Sequence, residues 1–192
     1  IPGLAQPFKG GKFWIKIVSF KICSFVQRVT ALLEAKQIAY QVEYISLKDK
    51  PQWFLDISPN AQVPLLITEG GSALFESEAI VEYINEVSAP LEQGLTPEQN
   101  ALDRAWGYMA AKHYLVQCSA MRSADEDTFC ERMTKLSIPF AKAEAAMTPG
   151  PFFKGDTLNP CDIAWLPLLL SLQTIRRCRT TKRCRSRGSA TY

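Results

Sequence analysis

The first half of the chain is organised around one run of residues, Cys23-Ser24-Phe25-Val26-Gln27-Arg28-Val29. Apolar side chains recur at helical spacing along this run and its continuation, which predicts a helix. Residues 13–18 before it are aromatic and β-branched, and residues 40–45 after it alternate apolar with polar side chains, so each stretch predicts a strand. Strand, helix and strand in this order predict a β-α-β unit with a right-handed crossover.

A second group of elements follows in the first half. Residues 63–68 predict a strand, and residues 73–75 predict a short returning strand after a hairpin turn at residues 69–72. Residues 77–87 carry apolar side chains on one helical face and predict a helix. Residues 48–59 are interpreted as a connecting segment, so the order is β-α-β then β-β-α.

The second half of the chain predicts helices only. Residues 96–99 offer a Thr cap, Pro at the first helical position and Gln at the third, and the helix is predicted to run to about Cys118. Residues 125–146 predict a second helix. Residues 159–162 provide an Asn cap, Pro and a nearby acid for a third helix, predicted to end at about Leu172.

These elements predict an α+β N-terminal lobe followed by an all-helical lobe. We place the first domain at residues 1–87, the helical domain at 95–172 and a basic tail at 173–192. The longest apolar run is too short to span a bilayer, so no membrane span is expected.

The formal net charge of +3 comes from the end of the chain. Seven cations follow residue 175, and no acidic residue follows Asp162. The preceding residues are therefore mildly acidic, and they do not show the basic patch that is typical of nucleic-acid binding. Almost no aliphatic residue follows Gln173, which predicts a solvated, poorly packed tail. A binding arm for RNA or an anionic membrane is the other interpretation of this tail.

The cysteine pattern bears on redox compartment and metal binding. None of the six cysteines forms a Cys-x-x-Cys pair, and the spacing fits neither a disulfide framework nor a zinc site. The single histidine, His113, makes a metal cluster improbable, so no metal is expected. We interpret the compartment as reducing and the location as cytoplasmic.

Cys23 is the first candidate for a catalytic residue, because it lies where the first helix begins. Backbone N–H groups and the helix dipole at such a position favour a thiolate, which is the nucleophilic form of cysteine. Position 26 is Val rather than a second Cys, so an external thiol would have to resolve a disulfide formed there. A buried structural cysteine is the equally open alternative.

Two further pairs of residues have the chemistry of a peptide-binding site. A cis bond between Val63 and Pro64 would turn the Val63 backbone outward for an extended peptide, although an ordinary trans proline at a strand edge is the commoner case. Glu76 could pair with an ammonium, and Ser77 could cap the next helix and bind a carboxylate. A plain Ser cap beside a solvated Glu is the open alternative for that pair.

These signals occur together in four runs, Cys23-Ser24-Phe25-Val26-Gln27-Arg28-Val29, Lys48-Asp49-Lys50-Pro51-Gln52-Trp53-Phe54, Ser58-Pro59-Asn60-Ala61-Gln62-Val63-Pro64 and Phe75-Glu76-Ser77. In this order the set resembles the glutathione transferase superfamily, and its first two runs resemble the cysteine-type, omega-like branch. The resemblance covers roughly residues 13–172, is denser in the first half, and includes a capping motif at residues 159–162.

The resemblance implies a thioredoxin-like N-terminal lobe, an all-helical C-terminal lobe, glutathione as cosubstrate and a homodimer. It implies that Cys23 forms a mixed disulfide with glutathione and that Phe25 lines the thiol. The resemblance also implies that Val63 pairs with the cysteinyl backbone of glutathione, that Pro64 is a cis proline and that Lys50 faces the glycine carboxylate.

The remaining implied contacts concern the γ-glutamyl group and the electrophile. Glu76 and Ser77 would hold the γ-glutamyl end, whose ammonium and carboxylate suit them. The candidates for the electrophile site, with helix-core packing as an open alternative for each, are Trp106, Tyr108, His113 and Tyr114.

The sequence departs from the family pattern in two places. Ser24 stands where the family usually has Pro, and it is expected to serve as a helix cap. The basic tail stands where the family normally continues with more helix.

Three functional hypotheses follow. The first is an enzyme that uses Cys23 for glutathione-dependent thiol transfer, reduction or deglutathionylation of small electrophiles or mixed disulfides. The second is a conventional conjugating transferase in which Ser24 or another hydroxyl activates the glutathione thiol. The third is a non-catalytic interaction module whose basic tail contacts an anionic partner.

Overall fold

The computed structural model describes residues 15–21 and 23–180, with side chains described as far as residue 171. The described chain divides into two compact units, one ending at Thr96 and the other beginning at Pro97. The first unit is built around a four-stranded sheet, and the second is built from packed helices.

The first unit alternates strands and helices along the chain. Its elements are β1 (Lys16–Ser19), α1 (Ser24–Ala35), β2 (Gln41–Tyr44), α2 (Gln52–Ile57), β3 (Leu65–Ile67), β4 (Ala73–Phe75) and α3 (Ser77–Val87). The strands form one sheet in the order β2-β1-β3-β4, in which β1 and β2 are parallel and the other neighbours are antiparallel. This topology confirms the predicted β-α-β then β-β-α order.

The predicted connecting segment at residues 48–59 contains the helix α2, which sequence analysis missed. This helix is only six residues long, so it has too few turns to show helical periodicity. Its anchor is Phe54, which is fully buried and packs with Val18, Leu65 and Ile67 on one face of the sheet.

The opposite face of the sheet carries a second set of apolar side chains. Ile17 and Leu66 are paired across β1 and β3, and both are fully buried. Successive strand residues point to opposite faces, so these two lie on the side away from Phe54. The helices α1 and α3 contact each other and bury their own apolar faces, which indicates that they cover this side.

The second unit consists, in its described part, of α4 (Pro97–Met121), α5 (Glu126–Ala146) and α6 (Pro160–Thr180). The long α4 packs against both α5 and α6. All three helices were predicted, which confirms an all-helical second half. None of the helices described here has the length and hydropathy that a membrane span requires.

The helix α6 extends beyond the end that the sequence predicted. Its backbone is helical to Thr180, whereas the helical domain was expected to end at residue 172. Residues 173–180 contain neither Gly nor Pro, so no residue there opposes continuation of the helix. Residues 181–192 lie outside the described residues, so the poorly packed tail stays a prediction.

The start of α6 is fixed by two reciprocal side-chain caps, as its sequence predicted. The side chain of Asn159 accepts a hydrogen bond from the N–H of Cys161 at 2.9 Å. The carboxylate of Asp162 accepts from the N–H of Asn159 at 3.0 Å and from the N–H of Phe153 at 2.7 Å. Asp162 therefore caps the helix and also ties the preceding loop to it.

We expect Asp162→Ala to lower the free energy of unfolding by about 3 kcal/mol, because two hydrogen bonds to a charged group are lost together. Chemical denaturation measures this change. Asp156→Ala, at an exposed position in the same loop, is the matched control and should change stability by less than about 0.5 kcal/mol. Equal effects of the two substitutions would show that the cap contributes nothing.

Candidate functional site

Cys23 occupies the N-cap position of α1. Its backbone is extended, with φ −130° and ψ 115°, and its carbonyl accepts the first intrahelical hydrogen bond from the N–H of Gln27 at 3.0 Å. The residue is 7% exposed and is not disulfide-bonded. The sulfur therefore lies at the positive end of α1, where a thiolate is favoured.

Ser24 is not the cap of α1, contrary to the sequence-based expectation. It is the first residue with helical geometry, one position after the cap, and it is buried. Proline is favoured at this first helical position, because an N–H there has no intrahelical partner and proline has no N–H to leave unpaired. The exchange of the family's Pro for Ser24 is thus compatible with the same helix start.

The peptide bond between Val63 and Pro64 is cis, as the resemblance implied. Val63 lies just before β3, outside the hydrogen-bonded part of the sheet. Among the described residues, the backbone N–H and C=O of Val63 have no hydrogen-bond partner. This leaves one donor and one acceptor that can pair with an extended peptide.

Lys50 supports the loop that leads to Val63. Its ammonium donates a hydrogen bond to the carbonyl of Ala61 at 2.8 Å, and Ala61 has a positive φ of 50°. A non-glycine residue in this conformation costs free energy and is often found near binding sites. Lys50 thus brings a cation to the same loop as the unpaired Val63 backbone.

Glu76 lies between β4 and α3 and is the N-cap residue of α3. Its φ of 66° is positive, like that of Ala61, and its carboxylate accepts a hydrogen bond from the Asn60 side chain at 2.9 Å. Ser77 was expected to cap α3, but it is the first helical residue and Glu76 precedes it at the cap. The Asn60 contact ties Glu76 to the loop that carries Val63.

Sequence analysis missed a network of one ion pair and one hydrogen bond that includes Ser77. Arg28 on α1 forms an ion pair with Glu78 on α3, with 2.9 Å between Nη1 and Oε1. The hydroxyl of Ser77 donates to the other oxygen of Glu78 at 3.0 Å. Arg28 belongs to the run that defines the family resemblance, but its partner is 50 residues away, so no local pattern could reveal the pair.

The first unit therefore presents the groups that a small charged peptide requires. Cys23 provides a thiol, Val63 a backbone donor and acceptor, Lys50 a cation, and Glu76 a carboxylate at the start of α3. Phe25, in the first turn of α1, is partly buried.

The four candidates for the electrophile site all lie on α4. Trp106 and Tyr114 pack against the core of the helical unit, and Trp106 contacts the rings of Phe153 and Trp165. His113 Nδ1 lies 2.7 Å from the carbonyl oxygen of Met109, one turn earlier in the helix. Tyr108 is 46% exposed. Core packing thus accounts for Trp106 and Tyr114, and a role in electrophile binding stays a prediction for all four.

The helical unit also contains an apolar cavity of about 480 Å³. It lies between the end of α5, the following loop and the first half of α6, and its walls include Phe140, Leu158 and Trp165. None of the four electrophile candidates is among the described residues that line it.

The other described cysteines differ from Cys23 in their surroundings. Burial and the neighbouring carboxylate of Asp103, 3.6 Å from the sulfur, raise the pKa of Cys161 to about 12. Cys130 is exposed and Cys118 is partly buried. No group of three or more potential metal ligands occurs among the described residues.

Solved structures with the same architecture define the class of fold. The chain matches glutathione transferase Omega 3C from Trametes versicolor with a TM-score of 0.76 and 24% identity, covering 88% of this chain and 77% of that one. It matches rice GST1 (OsGSTU1), solved in complex with glutathione, with a TM-score of 0.76 and 18% identity, covering 90% and 81%. The fold is thus the glutathione transferase fold, with a thioredoxin-like first lobe.

Sequence comparisons lead to the family. Residues 22–87 match the family model described as glutathione S-transferase, N-terminal domain. The chain is 30% identical over 151 residues to the probable glutathione S-transferase DHAR1, cytosolic, of Oryza sativa subsp. japonica, covering 79% of this chain and 67% of that protein. It is 28% identical over 177 residues to glutathione S-transferase omega-1 of Sus scrofa, covering 90% and 73%. The chain belongs to the glutathione S-transferase family, with relatives in the omega class, which confirms the resemblance of its sequence.

We expect iodoacetamide at pH 8 to modify Cys130 in the folded protein and to leave Cys161 unmodified. The Cys161 thiol is fully buried and its pKa of about 12 keeps it protonated at this pH, whereas Cys130 is exposed. Peptide mass spectrometry measures the modification. Unfolding in denaturant before labelling is the control and should make both cysteines react. Rapid labelling of Cys161 in the folded protein would contradict the assigned environment.

Proposed function

We propose that this glutathione transferase uses Cys23 as the nucleophile in glutathione-dependent thiol transfer, reduction or deglutathionylation. The Cys23 thiolate attacks the glutathionyl sulfur of a mixed disulfide, forms a disulfide with glutathione and releases the other thiol, which takes up a proton. A second glutathione thiolate then attacks this disulfide, releases oxidised glutathione and regenerates Cys23.

The observation that carries this proposal is the position of Cys23 at the N-cap of α1, in the same unit as the unpaired Val63 backbone. A thiolate is favoured at that position. Val26 occupies the place of a second, resolving cysteine, so regeneration requires an external thiol, which glutathione supplies. The family's relatives and the glutathione complex of a structural neighbour support glutathione as the cosubstrate.

Each end of glutathione has a proposed partner. Val63 pairs with the cysteinyl backbone beside Pro64, Lys50 faces the glycine carboxylate, and Glu76 with Ser77 holds the γ-glutamyl end. Phe25 lines the thiol, and a small hydrophobic electrophile binds near the α4 candidates. A homodimer and a cytoplasmic location belong to the same proposal, the latter supported by the cytosolic rice relative.

We expect incubation with oxidised glutathione to add one glutathionyl group to the wild-type protein and none to Cys23→Ser. The thiolate at the start of α1 is the nucleophile that opens the disulfide. Intact mass spectrometry after brief incubation measures the addition. Cys130→Ser is the matched control, because it removes an exposed cysteine, and it should still gain one group.

The same experiment can reject the proposal. If Cys23→Ser gains glutathione as readily as the wild type, or if neither protein gains it, Cys23 has no special reactivity. Conjugation of a chlorinated aromatic compound that survives Cys23→Ser would then favour the conjugating reaction. Absence of glutathione binding altogether would favour the interaction module.

We expect Lys50→Met to weaken binding of S-methylglutathione about tenfold, because one charge-assisted contact with the glycine carboxylate is lost. The analogue in which that carboxylate is a carboxamide should bind the wild type and Lys50→Met with similar affinity. Isothermal titration calorimetry measures both ligands. Lys48→Met, at an exposed position nearby, is the control and should bind like the wild type. If Lys50→Met weakens the binding of both ligands equally, Lys50 supports the Ala61 loop and does not recognise the glycine carboxylate.

A further inference from the structure

The cavity in the helical unit has no part in the glutathione chemistry proposed above. Its volume of about 480 Å³ is within the range of pockets that hold small organic ligands, and such pockets often lie between the helices of a bundle. Among the described residues that line it, none is proposed to bind glutathione or the electrophile. The cavity is therefore a candidate for a separate ligand site.

The walls of the cavity are apolar and rich in aromatic rings. The aromatic wall residues come from α5, from the loop after it and from α6, and they are Phe140, Phe152, Phe153 and Trp165. The rings of Phe140 and Trp165 meet edge to face, with 5.7 Å between their centroids. Met147 and Leu169 also line the cavity and are 45% and 48% exposed, which indicates where it opens to solvent. An apolar molecule that enters there replaces water against these walls.

The charged groups in the described part of the wall are both acidic. They are Glu144 near the end of α5 and Asp162 at the start of α6. The Asp162 oxygens already accept hydrogen bonds from the N–H groups of Phe153 and Asn159. Glu144 is exposed, and its carboxylate has no hydrogen bond or ion pair with any described residue. The free charge in the described wall is therefore negative.

This wall determines which charge a ligand can carry. An acidic wall repels an anion and attracts a cation. The aromatic rings act in the same direction, because the face of an aromatic ring is electron-rich and attracts an ammonium group. Glu144 lies three residues before Met147, one turn along α5, so its carboxylate is on the open side of the cavity. An ammonium group that pairs with it there keeps part of its hydration.

We propose that this cavity binds an apolar amine, whose hydrocarbon part lies between α5 and α6 and whose ammonium group pairs with Glu144. The site lies within the helical unit, and Cys23 and the other residues proposed for glutathione belong to the first unit. The inference therefore does not rest on the proposed function, and it gives the chain a second small-molecule site.

The test compares three ligands that share one apolar body and differ in charge. They are 4-phenylbutylamine, which is protonated at pH 7, the uncharged 4-phenylbutanol and the anion 4-phenylbutyrate. We expect the wild type to bind the amine about fivefold more tightly than the alcohol, since an exposed ion pair and an ammonium–aromatic contact each contribute modestly. The anion should bind about tenfold more weakly than the amine. Isothermal titration calorimetry measures the three affinities.

Two substitutions locate the site, and each has a matched control. Glu144→Gln removes the charge and should lower the preference for the amine over the alcohol to about twofold. Asp156→Asn, at an exposed acid of the neighbouring loop outside the described wall, should keep the preference. Leu166→Trp enlarges a wall side chain and should weaken all three ligands at least about tenfold. Leu170→Trp, on the same helix but outside the described wall, should bind like the wild type.

The outcomes decide for or against the site. No binding of the amine to the wild type, or equal binding of the amine and the alcohol, would overturn the inference. An unchanged preference in Glu144→Gln would also overturn it, and so would normal binding by Leu166→Trp that circular dichroism shows to be folded. If Leu166→Trp does not fold, Glu144→Gln decides alone. Cys23→Ser should bind the three ligands like the wild type, so this test and that of the proposed function can fail separately.

Discussion

The ion pair between Arg28 and Glu78 connects the two helices whose first turns carry the candidate site. A guanidinium that is 8% exposed must have a charged or polar partner, because an unpaired buried charge is strongly destabilising. Glu78 meets this requirement across 50 residues of sequence. The pair therefore constrains how α1 packs on α3 and, with it, the relation between Cys23 and Ser77 within the first unit.

The helix starts of the two units are built differently. In the helical unit, Asp125 caps α5 through the N–H of Thr128, and Asn159 caps α6 with its side chain. In the first unit, the N-cap residues of α1 and α3 are Cys23 and Glu76, and neither side chain makes a capping hydrogen bond. A helix start without a side-chain cap is less stable, and it keeps the positive end of the helix for another partner.

Sequence analysis succeeded where the signal is local. Alternation and helical spacing predicted the strands and the long helices, and the Asn-Pro-x-Asp pattern predicted the cap of α6 correctly. It misplaced the caps of α1 and α3 by one residue, because Ser is a strongly preferred capping residue and the less favoured Cys23 and Glu76 stand before it. It missed α2, which is too short for a periodic pattern, and the Arg28–Glu78 pair, which only the folded chain brings together. Trp106 and Tyr114 pack against the core of the helical unit, and their role in electrophile binding stays a prediction.

Cys23 and Cys161 show why position in a helix does not determine the reactivity of a thiol. Cys161 also lies in the first turn of a helix, where the dipole, equivalent to about half a charge, favours a thiolate. Yet its pKa is raised to about 12, because burial and the full negative charge of Asp103 outweigh that partial positive charge. Lys154, which pairs with Asp103 at 2.6 Å, only partly offsets the effect. The case for Cys23 therefore depends on what accompanies it in the first unit: the unpaired backbone of Val63, the cation of Lys50 and the carboxylates of α3.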